Sequence, residues 1–390
     1  MFTALLAAAA MLLTLALPTF PDGLSPAILA FLGMVALAGV GGGLRSHAAR
    51  TQLVFFLPWL AALLLAFSVG VLHGTPMMQA MEDALPYVLF VLGLTAGRGS
   101  GAPRLILAAI FGVALFDGVV SLWRMPSFDL SVVRSTYTSH KVIAGHLLIG
   151  ITLASLLRLL TPPARSLRRL LLAGAGALLV IAVIATVSRG MLLGLSVGLV
   201  AAIYLRRPVG GLSLSLFAAL VVAVFAGTFW ELGEHYLRLG SSATVDGRVR
   251  EINLCLEVFL EHPALGAGLG DEILVDGFYV SYVHNLVAYH LWKFGMLGSA
   301  LLTIPFVPLV RQALRAPPHL RPTIVGGALS IGLYLVTAAS YKSYFLVPMI
   351  GLSVGSILSM LASERGRTRG MMAPKTDPLG AGPDSPDLGR

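Results

Sequence analysis

Apolar runs of about 17–20 residues recur along most of this chain, and each is long enough to cross a hydrocarbon core of about 30 Å. Such runs decide the fold class, because a membrane-spanning helix satisfies all its backbone polar groups internally. Only 12% of the 390 residues are charged, whereas a soluble domain carries about a quarter. The sequence therefore predicts an all-α polytopic membrane protein.

About twelve transmembrane helices are predicted by the length of these runs. They cover residues 2–20, 25–44, 52–72, 84–97, 104–122, 141–160, 170–187, 190–205, 211–230, 284–310, 323–340 and 345–362. The first is interpreted as a helix rather than a cleaved signal peptide, since no basic side chain precedes it. Residues 1–362 would form a single transmembrane domain, and the basic residues 363–390 a disordered cytoplasmic tail.

Charged residues divide cleanly between alternate connections. One set contains many arginines and no acid: GGGLRSHAAR, GRGSGAPR, LRLLTPPARSLRR, YLRRP and RQALRAPPHLRP. The positive-inside rule places that set in the cytoplasm, together with both termini. The other set holds the acids, including Asp22, Glu82, Asp83, Asp117 and Asp129, and would face a periplasm-like side. The arginine-rich loops explain the net charge of +9. Membrane lipids are therefore expected as partners, and nucleic acid is not.

Several motifs and residue types that the sequence lacks narrow the range of functions it can have. No acid is expected in the middle of a span, although intramembrane carboxylates usually carry ions in coupled transporters. The single cysteine, Cys255, excludes an intrachain disulfide and a cysteine-rich metal site. No P-loop, Rossmann fingerprint or DxD-like acidic pair occurs, so neither a metal nor any other cofactor is expected.

Residues 231–283, between spans nine and ten, form the one connection of domain-like size. Four apolar residues at helical spacing predict an amphipathic helix on the membrane face or the bundle top; they are Val249, Ile252, Leu256 and Phe259. Asp246 is expected to cap this helix and Pro263 to end it. The following GAGLG stretch is predicted to be a flexible turn.

With that start, Arg248 and Arg250 fall in the first helical turn, where two guanidinium groups can hold a phosphate. The alternative is that both arginines form solvated pairs with Glu251 or Asp246. Arg189, in a short outer turn, either extends to lipid headgroups or binds an anion.

His284 and Asn285 lie where the chain re-enters the membrane, and Asn285 is predicted to be one of the substrate-binding residues. A histidine there can accept a proton at neutral pH, although it could instead cap a helix or bond a carbonyl. Four neighbours could contact glycan or phosphate, with anchoring at the interface as the alternative. These are His140, Lys141, Tyr282 and Tyr289.

Three segments, in this order, resemble the O-antigen ligase and O-antigen polymerase superfamily of bacterial membrane glycosyltransferases. They are the SRG turn at Ser188–Gly190, GRVREINLCLEVFLEHPALGAGLG, and VHNLVAYHLWKFGMLG with its His-Asn and Gly-x-x-Gly elements. The motifs cover some forty-five residues. The chain departs from the family pattern at Ile252, where tryptophan is common, and at Lys293, where an acidic residue is common.

The resemblance implies a GT-C-like fold in the bacterial inner membrane, with a periplasmic active site. It also implies a glycan donor on undecaprenyl pyrophosphate, a lipid or glycolipid acceptor and a metal-independent reaction. Arg189 and Arg248 would hold the pyrophosphate, and His284 would be the general base. A ligase acting on a lipid A-core type of acceptor is favoured, because the outer loop 123–140 is small. A repeat-unit polymerase is the alternative, and a polysaccharide or lipid transporter is less favoured.

Overall fold

The computed structural model describes residues 1–17, 25–123, 145–186, 188–208, 242–275 and 277–372. Their α-helices are α1 (Phe2–Leu13), α2 (Pro26–Arg45), α3 (His47–Phe55), α4 (Leu57–Leu72), α5 (Met77–Gly99), α6 (Pro103–Trp123), α7 (His146–Leu160), α8 (Ser166–Ala185), α9 (Arg189–Arg206), α10 (Ser242–Glu261), α11 (Leu286–Thr303), α12 (Phe306–Leu314), α13 (Arg321–Thr337) and α14 (Leu346–Met372). Strands β1 (Ile273–Val275) and β2 (Phe278–Val280) form a hairpin, and 3-10 turns cover Thr14–Ala16, Pro163–Arg165 and Ala339–Lys342.

Within these ranges, seven helical segments are long and apolar enough to cross a membrane, or eight if the bent α3–α4 pair is one span. Predicted spans 2–20, 141–160 and 323–340 correspond to the shorter helices α1, α7 and α13, and predicted span 211–230 lies outside the described residues. The all-α multi-pass architecture is therefore confirmed, while the number twelve stays a prediction.

Glycine faces bring the central helices unusually close. Gly93 and Gly97 of α5 lie against the backbone of α14, and Gly351 and Gly355 of α14 lie against the backbone of α5. A Cβ at Gly351 would lie 2.3 Å from the carbonyl oxygen of Phe90. Such small-residue faces let membrane helices approach at backbone distance and gain dispersion contacts. The α5–α14 pair lies at the centre of the described bundle.

A second close pair joins α9 to α13. A Cβ at Gly198 would lie 2.5 Å from the carbonyl oxygen of Gly326, and a Cβ at Gly190 would lie 2.7 Å from Oγ1 of Thr337. The first turn of α9, which contains Arg189, is therefore fixed against the last turn of α13.

The described part of the long connection 231–283 contains a helix, as predicted, and also a short hairpin that was not predicted. After α10 the chain forms a glycine-rich loop and then the β1–β2 hairpin, in which Ile273 pairs with Val280 and Val275 with Phe278. Asn285 then caps α11 by accepting from the amide of Ala288 at 2.9 Å. At the other end of the chain, α14 continues to Met372 and includes the first part of the predicted tail.

Candidate functional site

His284 is held by a carboxylate from α10. Oε2 of Glu251 accepts from the backbone amide of His284 at 2.9 Å, and both oxygens of Glu251 lie 3.2 Å from Nδ1 of the imidazole. A carboxylate can only accept, so Nδ1 carries the hydrogen and the neutral ring keeps the Nε2 lone pair for another partner. The imidazole is 39% exposed, whereas the carboxylate is 18% exposed. The pair is thus oriented and still accessible.

The charge state of Glu251 is fixed by its surroundings. Burial acts to raise its pKa, but hydrogen bonds from His284 and the nearby charge of Arg248 outweigh that effect and lower the pKa below its ordinary value. Glu251 is therefore ionised at neutral pH. An ionised carboxylate at Nδ1 stabilises the imidazolium that forms when Nε2 accepts a proton.

Sequence reasoning placed Glu251 on a solvated face and missed this role. The packed face of α10 instead contains Glu251, Cys255 and Val258, while Val249 and Leu256 are exposed. Residues 251, 255 and 258 also recur at helical spacing, and that periodicity was the available signal.

The predicted start of α10 is also wrong. The helix begins at Ser242, so Asp246 lies inside it, and neither Arg248 nor Arg250 is in its first turn. A phosphate site made by the helix N-terminus is thereby excluded for these two arginines. Helical spacing separates them: Arg248 lies one turn before Glu251 on the same face, whereas Arg250 shares a face with Glu257. Both are exposed.

Arg189 begins α9, and the residues next to it are connected to the His284 segment through a chain of contacts. Its neighbour Gly190 packs on Thr337 and Tyr334. The hydroxyl of Tyr334 accepts from Ser340 at 2.7 Å. Ser340 belongs to the 3-10 turn Ala339–Lys342.

The same turn contacts the residue before His284. The hydroxyl of Tyr341 donates to the carbonyl of Val283 at 2.7 Å and accepts from the amide of Val283 at 3.3 Å. The structure therefore links the Arg189 turn and the His284 segment through the corner between α13 and α14.

The other predicted contact residues have different positions. Tyr282 is 46% exposed, and its ring lies edge-on to His284 at 6.1 Å. Tyr289 was predicted to bind substrate, but it is fully buried and its ring packs on Tyr341 at 4.9 Å. Its role is therefore packing. His140 and Lys141 lie outside the described residues.

A buried charge network supports this corner and was not expected. The Asp83 carboxylate accepts from Nζ of Lys293 at 2.9 Å, from Lys342, and from the amide of Gly270 at 2.8 Å. Lys342 also donates to the carbonyl of Ser281 at 3.1 Å. Asp83 thus joins α5, the glycine loop, α11 and the 3-10 turn. Lys293, a departure from the family pattern, is fully buried within this network.

The glycine loop after α10 is an ordered insertion rather than the predicted flexible turn. Gly295 has φ of +61° and interrupts α11. The carbonyls of Trp292 and Lys293 that the break releases accept from the amides of Ala267 and Gly268, at 2.8 and 3.1 Å. Backbone groups at membrane depth need such partners, and the loop supplies them.

A second histidine–carboxylate pair lies inside the bundle. Nδ1 of His146 on α7 is 2.9 Å from Oδ2 of Asp117 on α6, and both side chains are buried. Asp117 was predicted to face the outer side, and it lies within the candidate span Pro103–Trp123, six residues before the end of that helix. Among the described residues, Nε2 of His146 has no hydrogen-bond partner.

An apolar cavity of about 630 Å³ lies between α4, α5, α7 and α11–α14. Its lining follows α14 from Val347 to Leu361, about 21 Å at 1.5 Å per residue. Leu286 and Tyr341, beside His284, belong to the same lining. The cavity can receive an apolar chain whose polar end lies near the His284–Glu251 pair.

Within the described ranges, no three His, Cys, Asp or Glu side chains are grouped so as to hold a metal ion. No protein-family model matches the sequence, and no curated protein is significantly similar to it.

Proposed function

We propose that this protein transfers a glycan from a polyprenyl pyrophosphate to a hydroxyl of a lipid or glycolipid acceptor, at the periplasmic face of a bacterial inner membrane. The observation that supports it best is the His284–Glu251 pair, which has Arg248 beside it. Proton acceptance and anion binding are the two functions that glycosyl transfer from a pyrophosphate requires.

In the proposed step, the acceptor oxygen forms a bond to the anomeric carbon while its proton passes to Nε2 of His284. The bond between that carbon and the phosphate oxygen breaks, and polyprenyl pyrophosphate leaves with the electron pair. Arg248 and Arg189 stabilise the added negative charge through forked hydrogen bonds. Glu251 stabilises the imidazolium until the proton reaches water.

The apolar cavity supports a lipid-linked donor. Its lining beside Leu286 and Tyr341 suits the first isoprene units, since burying apolar chain gains about 0.8 kcal/mol per CH₂. Remote binding of that kind holds the reacting ends together and lowers the entropic cost of the reaction.

The test uses purified protein in liposomes with a labelled polyprenyl-pyrophosphate glycan and a lipid acceptor. We expect transfer by the native protein and loss of transfer in His284→Ala, while donor binding persists. His262→Ala is the matched control, because His262 is exposed at the end of α10 and lies away from the pair. Full transfer by His284→Ala would reject the general-base assignment. Product analysis separates ligation to lipid A-core from polymerisation of repeat units.

A transporter is the second candidate, and the buried Asp117–His146 pair favours it. Ionisable pairs within membrane helices often belong to ion or substrate pathways. In the same liposomes, movement of labelled donor across the bilayer without a new glycosidic bond would support transport. Donor movement that requires both Asp117 and His146 would assign the pair to it.

A further inference from the structure

Helix α10 has three distinct faces. One packs on the bundle through Glu251, Cys255 and Val258. The second is polar and exposed, with Arg250 and Glu257 at helical spacing.

The third face is apolar and exposed. Val249, Leu256 and Leu260 are 50%, 37% and 72% exposed. They follow each other at i, i+7 and i+11, so they form one stripe along the helix.

The chain just beyond the stripe is hydrogen-bonded to a candidate membrane-spanning segment. Beyond the end of α10, the carbonyls of Pro263 and Ala264 accept from the amides of Met296 and Leu297 at 2.9 and 3.1 Å. Met296 and Leu297 are 63% and 50% exposed, and they belong to the candidate span Leu286–Leu314. Exposed apolar side chains of a span face lipid. The end of α10 is therefore bonded to a lipid-facing surface.

We propose that the stripe Val249–Leu256–Leu260 docks on acyl chains of the bilayer leaflet. Helix α10 then lies at the interface with one face in lipid, one in water and one on the bundle. A helix with a polar face beside an apolar face takes this position. The proposal is independent of the proposed transfer reaction. It implies that Arg248 is kept at the level where a lipid-linked phosphate lies.

The test is collision accessibility of a nitroxide attached to single introduced cysteines in liposomes of phosphatidylethanolamine and phosphatidylglycerol. Val249→Cys and Leu260→Cys probe the stripe, Glu257→Cys is the water reference and Met296→Cys is the lipid reference. Native Cys255 can remain, because burial raises the pKa of its thiol to about 12 and leaves little reactive thiolate. Labelling of the unsubstituted protein checks this.

We expect the ratio of oxygen to nickel-complex collisions at Val249→Cys and Leu260→Cys to match Met296→Cys and to exceed Glu257→Cys several-fold. A ratio equal to that of Glu257→Cys would place the stripe in water and overturn the proposal. Low collision rates with both reagents would show a protein covering the stripe, which overturns it as well. Far-UV circular dichroism confirms that each labelled variant is folded.

Discussion

His284 and Glu251 lie 33 residues apart in the chain, and only the fold brings them together. The position of His284 at the start of α11 was predictable, because the apolar run that follows it marks a predicted span. The pairing of His284 with Glu251 was not predictable, since the faces of α10 were assigned from apolar residues alone. A charged residue can lie on a packed face when a partner there satisfies it, and sequence periodicity does not reveal that partner.

The Glu251 carboxylate makes stability depend on pH in one direction. Its pKa in the folded protein lies below the ordinary value of 4.5, so the unfolded chain binds the proton more tightly. The stabilisation is complete above about pH 4.5 and is lost as the pH falls further. We expect Glu251→Gln to lower the free energy of unfolding by about 1–2 kcal/mol at pH 7, and the difference to shrink below pH 4.5.

Denaturant unfolding in detergent at several pH values measures that difference. Glu257→Gln is the control, because Glu257 lies on the exposed polar face of α10. A difference between Glu251→Gln and native protein that stays constant down to pH 3 would contradict the assigned pairing.

Arg248 and Arg250 should differ in function, because only Arg248 shares the face of Glu251. We expect Arg248→Ala to lower kcat/KM for transfer roughly 10–100-fold, as the loss of a charge-assisted hydrogen bond does. Arg248→Lys should recover part of the loss, since lysine lacks the planar fork. Arg250→Ala should change kcat/KM little. The liposome transfer assay compares them, and equal losses in both alanine variants would remove the distinction.

At the scale of elements, the existence of helices was predictable and their ends were not. Apolar length alone located α2, α5, α6 and α14. Helix α10 extends back to Ser242, four residues before the predicted cap at Asp246. The break in α11 at Gly295 depends on a loop from elsewhere in the chain, so no local pattern reveals it.

The close α5–α14 contact predicts that a side chain added at one of its glycines destabilises the fold. A methyl group at Gly351 would approach the Phe90 carbonyl oxygen to 2.3 Å and force the helices apart. We expect Gly351→Ala to destabilise the fold by about 1–3 kcal/mol. Gly332→Ala, where nothing lies within 4 Å, should be neutral or stabilising because alanine favours helix. Thermal unfolding in detergent compares the two, and equal melting temperatures would contradict this packing.

At the scale of the whole molecule, arginines mark one end of several spans. Arg45, Arg98, Arg158 and Arg206 lie in the last turns of α2, α5, α7 and α9. The positive-inside rule assigns their sides to the cytoplasm. The sidedness of the bundle stays a prediction from the sequence, whereas pairing between helices depends on glycine faces that hydropathy does not detect.

Reporter fusions test this orientation. A reporter active only in the periplasm should be active after residue 75 and inactive after residues 48, 101 and 316. A reporter active only in the cytoplasm should give the reverse result. Activity of the same sign at residues 75 and 101 would show that α5 does not cross the membrane.

The bonds between the glycine loop and the break in α11 affect how this protein can be modified. Residues 263–268 complete the hydrogen bonding of a helix that begins some twenty residues later. The loop is therefore a structural part of that helix, although it is distant from it in the sequence. An epitope or fluorescent tag inserted there would disrupt a membrane segment. A tag at Gly277, in the exposed turn of the hairpin, would leave that segment whole.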